Sequence, residues 1–299
     1  MDSPLILHSV SYSGSWGQDS LAFDEFLTKA SELGFDGVML AAKRPHVSPL
    51  DYDAGRRRRL RERLLELNLT TVVLAGYNNF TADLDHTEVP TREIQIAYVT
   101  ELARLAQDIG AGIVRVFTGY EHPASNYLAQ WNLLVAALKE CARRASDCGV
   151  TIGVQNHHDL GAGYESMLDL IAAVAEPNCK PLFDAWSPAL HGDDLRRAAG
   201  RFGAITPHTT IADYQLRPRY KYQPALVNYT KETAYVQAVP LGEGFIDYPG
   251  FLTGLVESGF QGSIAYEMCS PLAGGGAINV LDQYARRFID YIRNFQPVA

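Results

Sequence analysis

The chain of 299 residues is 47% apolar and 20% charged, enough to bury a sizeable core and too apolar for a disordered polymer. Its formal net charge of −8 repels phosphate backbones and anionic lipid, which argues against nucleic-acid or membrane-surface work. No apolar run approaches the ~20 residues that cross a bilayer, the first residues lack a secretory leader's pattern, and Cys141, Cys148, Cys179 and Cys269 form no CxxC pair, so reduced thiols in a cytoplasmic protein are expected.

In chain order, strand-type apolar runs are predicted at Leu5–Val10, Asp36–Leu40, Thr70–Ala75, Gly112–Phe117, Val150–Gln155, Lys180–Asp184, Ala204–His208 and Ser263–Glu267. Most are continuous rather than alternating, as parallel strands covered on both sides require. Between them the spacing changes to three and four. Phe23, Phe26, Leu27, Ala30 and Leu33 make one helical face; Ile94, Ala97, Tyr98, Leu102, Leu105 and Ile109 make another. Leu128 to Ala145 is a third helix, and Leu281, Tyr284, Phe288 and Ile292 close the chain. Gly34, Gly110, Gly149 and Gly259 stand where helices should end.

Eight strands, most followed by a helix, in a chain of this length predict one domain over residues 1–299, a (β/α)8 or TIM barrel. The rival, an open doubly wound sheet, usually carries a Gly-rich fingerprint after its first strand, and Ser11 to Gly17 does not match one. Thr209 to Asp247 is read as a long loop after strand seven. Its Tyr214, Arg217, Arg219, Tyr220, Lys221 and Tyr222 suit a lid or a partner surface, in a homo-oligomer or with another subunit.

Active sites of such barrels lie at the carboxyl ends of the strands. Strand five ends in Gln155-Asn156-His157-His158, strand six in Asp184, strand seven in His208 and strand eight in Glu267. Two carboxylates, an imidazole and an amide oxygen at one level suit one Mn2+, with Mg2+ or Co2+ as alternatives, so Asp184, His208 and Glu267 are expected to converge there. Singly, each has a plainer reading: a helix N-cap, a satisfied core histidine, or an ion pair of Glu267 with Arg115.

These ends, with Val154-Gln155-Asn156-His157, Phe183-Asp184, Pro207-His208, Tyr266-Glu267 and the segment Leu241 to Tyr248, resemble the sugar phosphate isomerase/epimerase superfamily, the xylose-isomerase-like barrels. The resemblance implies a Glu, an Asp, a His and a Glu binding one divalent metal, and Gln155 departs from that pattern. It also implies activities spanning ketose epimerases, isomerases, dehydratases and keto-glycoside lyases. The related endonuclease IV branch is excluded by the acidic charge and the missing histidines.

The shared chemistry is removal of a proton next to a carbonyl. In the family's epimerases, the resemblance implies, two metal-binding glutamates are the bases. Only Glu267 keeps a carboxylate here, because an amide cannot take the proton. His157, or else His158, is therefore read as the partner base. The expected substrate is a keto-sugar or keto-glycoside, turned over as an isomerase or epimerase. Two alternatives stand: a lyase or dehydratase breaking a C–O or C–C bond of a 3-keto-glycoside, and a sugar-binding subunit without turnover. Substrate contacts are expected from Arg115, His46, Tyr77, Trp16, Trp186, Glu243 and Arg217.

Overall fold

Residues 1–298 are described by a computed structural model. Eight parallel strands build the inner wall: β1 (Leu5–His8), β2 (Gly37–Ala41), β3 (Thr71–Ala75), β4 (Ile113–Val116), β5 (Thr151–Gln155), β6 (Cys179–Leu182), β7 (His208–Ile211) and, after an inserted pair β8 (Asp213–Gln223) and β9 (Asn228–Val239), β10 (Ser263–Tyr266). The helices α1 (Phe23–Leu33), α2 (Ala54–Glu66), α3 (Thr91–Ile109), α4 (Tyr127–Ser146), α5 (Tyr164–Val174), the short α6 (Trp186–His191) and α7 (Leu195–Gly200), α8 (Tyr248–Glu257) and α9 (Ile278–Arg293) lie between them. Gly34 after α1 (φ 88°) and Gly110 after α3 (φ 84°) take the left-handed conformation that ends each helix.

The strands follow the order β6-β5-β4-β3-β2-β1-β10-β7, all pairs parallel, so β6 and β7 face each other across a seam. Side chains stitch that seam. The Thr209 hydroxyl donates to the Phe183 carbonyl at 2.7 Å, and the Thr210 hydroxyl donates to Asp184 at 3.3 Å. The result is a nearly closed barrel.

Alternation along each strand separates two cores. One face packs outward on the helices through Leu7, Val38, Leu74, Val114 and Ile152 against Phe26, Leu102, Leu138 and Phe288. The other forms a small cluster within the barrel, Ile6, Met39, Val73, Ala75 and Ala265. Among the described residues no helix is long and apolar enough to cross a membrane.

Three expectations change. Strand one stops at His8, and Ser9–Tyr12 form a buried 3-10 turn. Strand seven is not Ala204–His208: residues 202–206 close α7 through bonds from Ile205 N and Thr206 N to the Phe202 carbonyl, and the strand begins at His208. The apolar Ala204-Ile205 pair suggested a strand, whereas the real one, His-Thr-Thr-Ile, is polar because its inner face lines the site. The long loop is an antiparallel ribbon of β8 and β9, offset where Pro218, which has no N–H to give, interrupts the ladder. Its base is buried at Tyr214, Ala238 and Val239, and its distal part is exposed.

Candidate active site

The seam between β6 and β7 leads to a cavity of about 130 Å3 at the carboxyl ends of the strands. Gln155, His157, Asp184, Thr210 and Glu267 supply its polar lining, and Trp186, Tyr214 and Tyr248 an aromatic wall. Trp186 meets Tyr214 edge to face at 4.2 Å. Gln155, at the end of β5, donates its amide Nε2 to Asp184 Oδ2 at 2.7 Å and to the Thr210 hydroxyl at 3.2 Å. Its own Oε1 is buried with no partner. Asp184 is held from behind by Asn156, whose Nδ2 donates to the Asp184 carbonyl and whose Oδ1 accepts from the Asp184 N–H.

Burial raises Asp184 from 3.8 to about 7; the bond from Gln155 opposes that rise and Glu267 adds to it. Glu267 is also raised, by burial first, with Arg115 pulling the other way. The Cys269 thiol donates to Glu267 Oε1 at 3.4 Å, while Glu267 Oε2 is buried without a partner. His8, at the end of β1, brings Nε2 to 3.6 Å from Glu267 Oε1. Burial keeps that imidazole neutral, so the contact is a polar neighbour rather than an ion pair.

His157 accepts from the His158 N–H through Nδ1 at 2.8 Å and meets His158 Nδ1 at 2.9 Å. With Nδ1 accepting, its proton belongs on Nε2. Burial, then His158, then Arg115 push His157 down to about 3. His157 is nonetheless an exposed residue, which tempers the shift; its direction is toward neutral imidazole. His158 stacks on Tyr120 at 4.1 Å with φ of 70°, a backbone state that a non-glycine residue adopts only at some cost.

The expected site residues divide accordingly. Gln155, His157, Asp184, Trp186 and Glu267 meet in this cavity; His158 lies beside it. His208 does not join them. As the first residue of β7 it pairs with Ser263, four residues before Glu267, about 13 Å along the strand at ~3.3 Å per residue. Its Nδ1 is engaged with Ser263 Oγ at 2.8 Å. Thr210, two positions on and facing the same way, holds the place expected for it.

Arg115 is wholly buried inside the barrel, its guanidinium 3.8 Å over the Phe117 ring and 5.0 Å over Tyr77, with no ion pair to Glu267 among the described residues. Tyr77 packs on Phe117 with Lys43 3.9 Å above it, outside the cavity lining. His46 is a core residue, bonded to Ser9 Oγ at 2.9 Å and stacked on Phe26. It borders a larger groove, about 750 Å3, on the flank between α1 and α2, away from the strand ends. Trp16 sits half-buried in the loop after β1, Glu243 is exposed in the turn after β9, and Arg217 is bonded to Gln237 on the ribbon. None of these three lines the cavity. Thr210, Tyr214, Tyr248, Cys269 and His8 were not singled out as site residues. His8, at a strand end, and Thr210, two after His208, carried the signal.

A divalent ion does not fit this donor set. Among the described residues no three His, Cys, Asp or Glu side chains are arranged to hold one. Gln155 turns N–H, not oxygen, toward Asp184, and a hydroxyl stands where an imidazole was expected.

No curated protein matches the chain in sequence. Among solved structures, a D-psicose 3-epimerase with D-fructose superposes with a TM-score of 0.74 at 15% identity, over 97% of this chain and 98% of that one. A probable 3-DHS dehydratase of petrobactin synthesis from Bacillus anthracis gives 0.71 at 18%, over 98% and 100%. A xylose isomerase-like TIM barrel/4-hydroxyphenylpyruvate dioxygenase fusion protein gives 0.69 at 17%; there this chain, covered in full, spans 45% of the other. At these identities the likeness is one of fold. The family model for xylose isomerase-like TIM barrels matches residues 27–290. With the barrel and its seam-side cavity in place, that match settles the family: the chain belongs to the xylose isomerase-like TIM barrels.

Proposed function

We propose that this protein is an enzyme that removes a proton from the carbon beside the carbonyl of a keto-sugar or keto-glycoside. The observation that carries the reading is the pair of buried carboxylates, Asp184 and Glu267, both displaced toward their protonated forms in one cavity with a neutral His157. Paired acids of raised pKa in a cleft suit proton transfer, one as acid and one as base. The aromatic wall of Trp186, Tyr214 and Tyr248 suits the apolar face of a sugar ring.

In this reading Glu267 in its ionised form takes the proton from carbon, and the C–H electron pair moves to give an enolate. His157 Nε2–H donates to the developing oxyanion, a role that a neutral imidazole fills without itself being the base. Asp184, protonated up to about pH 7, supplies a proton. Return of a proton to carbon gives an isomer or epimer.

A second reading follows from Asp184 being an acid rather than a second base. Its proton can go to a departing oxygen on the next carbon, giving an unsaturated ketone and a freed hydroxyl compound, as in a lyase or dehydratase. The epimerase and dehydratase folds that superpose on the chain are compatible with either outcome.

The test is proton NMR in D2O with a panel of ketoses and 3-keto-glycosides. Exchange of the C–H beside the carbonyl is expected, and Glu267→Gln should abolish it. His157→Ala should slow it by about 100-fold, the usual contribution of a proton-handling or oxyanion-binding group. Release of an aglycone or water selects elimination; no exchange with any substrate refutes the reading.

A further inference from the structure

We propose that this site works without a resident divalent cation, Asp184 being held instead by the Gln155 amide and the Thr210 hydroxyl. The inference rests on the cavity being the active site, but its test reads cation binding with no substrate present. Failure of one therefore leaves the other standing.

The argument begins with direction. A carboxylate that ligates a metal aims lone pairs at the ion, and its neighbours must also present lone pairs there. Asp184 Oδ2 instead receives two donors, Gln155 Nε2 at 2.7 Å and Thr210 Oγ1 at 3.3 Å, and Oδ1 accepts from Trp186 N at 3.1 Å. Against the ionised Asp184 that a cation would need, a reversed Gln155 amide would set oxygen against oxygen, so in that form the amide presents N–H. In its ionised form both Asp184 oxygens thus accept hydrogen bonds.

Depth comes next. Thr210 stands level with Ala265 and His208 level with Ser263, because the β7–β10 register fixes each pairing. Shifting His208 to the mouth would move β7 by two residues and break every pair of that ladder. The imidazole is bound to Ser263 through Nδ1 at that depth, its Nε2 buried without a partner below the mouth, and Thr210 Oγ1 is a weak neutral ligand at best. What remains for an ion is Glu267 and the spare oxygens of Gln155 and Thr210, a neutral-rich set that binds dications poorly.

Positive charge is supplied from within the wall. Arg115 lies on the inner face of β4, level with Gly153 and so two residues below Gln155, and its guanidinium is buried. Its charge opposes the rise of Glu267 and lowers His8, His157 and His208. It is a positioning charge beneath the site: it does not line the cavity.

Isothermal titration with Mn2+ and Mg2+, together with melting curves in Mn2+ or EDTA, tests the proposal. Wild-type protein should show no one-to-one uptake and no change in Tm. The double substitution Gln155→Glu with Thr210→His restores a carboxylate and an imidazole, and saturating Mn2+ should then raise Tm by about 5 °C or more. One-to-one binding of Mn2+ or Mg2+ by the wild type, with a comparable rise in Tm, overturns the proposal. So does a folded double variant that takes up no metal, since those two residues would then not be what excludes the ion. Should the double variant not fold, the near-isosteric Gln155→Glu is the substitute; it should bind Mn2+ more tightly than wild type, and equal binding counts against the proposal.

Discussion

At the scale of single residues, the site is governed by what burial does to acids and bases. Asp184 is nearly fully buried and its proton is held to about pH 7, against an ordinary value of 3.8. A raised carboxyl pKa means that the fold prefers the neutral acid. Below about pH 4 both folded and unfolded chains carry the proton and the group costs nothing. Between about 4 and 7 the unfolded chain ionises first, so this contribution to stability falls as pH rises and stays lost above 7. Asp184→Asn removes the ionisation and, with a flip of Gln155, keeps the hydrogen bonds. It should be more stable than wild type by about 1–3 kcal/mol at pH 8, with the gap shrinking toward pH 4. Paired urea melts at the two pH values measure this; a gap that is constant with pH would refute it. Local desolvation and neighbouring charge, at a residue that is still exposed, move His157 away from the base its unperturbed pKa suggested. Pressed against Phe117 and His158 with Arg115 close by, it is an uncharged donor, and nothing in the run Gln-Asn-His-His tells of Phe117 or Arg115.

At the scale of elements, the weak place is the seam. Seven of the neighbouring strand pairs are joined by backbone ladders, but β6 and β7 rely on side chains. The buried Thr209 hydroxyl bonded to Phe183 O is the central stitch, and the Phe183 ring lies stacked on Phe202 at 3.9 Å just outside. Thr209→Val keeps the shape and leaves that carbonyl unpaired, so a loss of about 1–3 kcal/mol is expected. Hydrogen exchange should show the added opening concentrated in residues 179–185 and 208–212. Uniform loosening of the whole barrel would contradict this account. The length and the tyrosines and cations of residues 209–247 suggest a surface loop, whereas the structure makes of them the ribbon β8–β9. Their alternation, Arg219-Tyr220-Lys221-Tyr222, is nonetheless the period of a strand.

At the scale of the whole molecule, the barrel core is continuous from α1 to α9, while the ribbon joins it through its base, where Tyr214, Val236, Ala238 and Val239 pack and Ala238 pairs with Leu272. Replacing residues 218–234 by a short turn should therefore leave one cooperative thermal transition with Tm within a few degrees of wild type. A second transition, or a large fall, would show that the ribbon tip belongs to the cooperative unit. By itself the sequence determined the architecture: the alternation of strand and helix, the glycine stops, and the placing of Gln155, Asp184 and Glu267 near strand ends. Those are local properties, carried by periods of two and 3.6 and by backbone conformations that particular residues prefer. Only the tertiary structure decided which side chains meet. Strand seven illustrates this. Whether His208 or Thr210 reaches the mouth depends on the stagger of β7 against β10, a long-range pairing that short-range pattern does not encode. The entry of His8, Tyr214, Tyr248 and Cys269 into the site, and the solitary charge of Arg115 beneath it, follow likewise from closing the barrel, since closure alone brings the first strand beside the last.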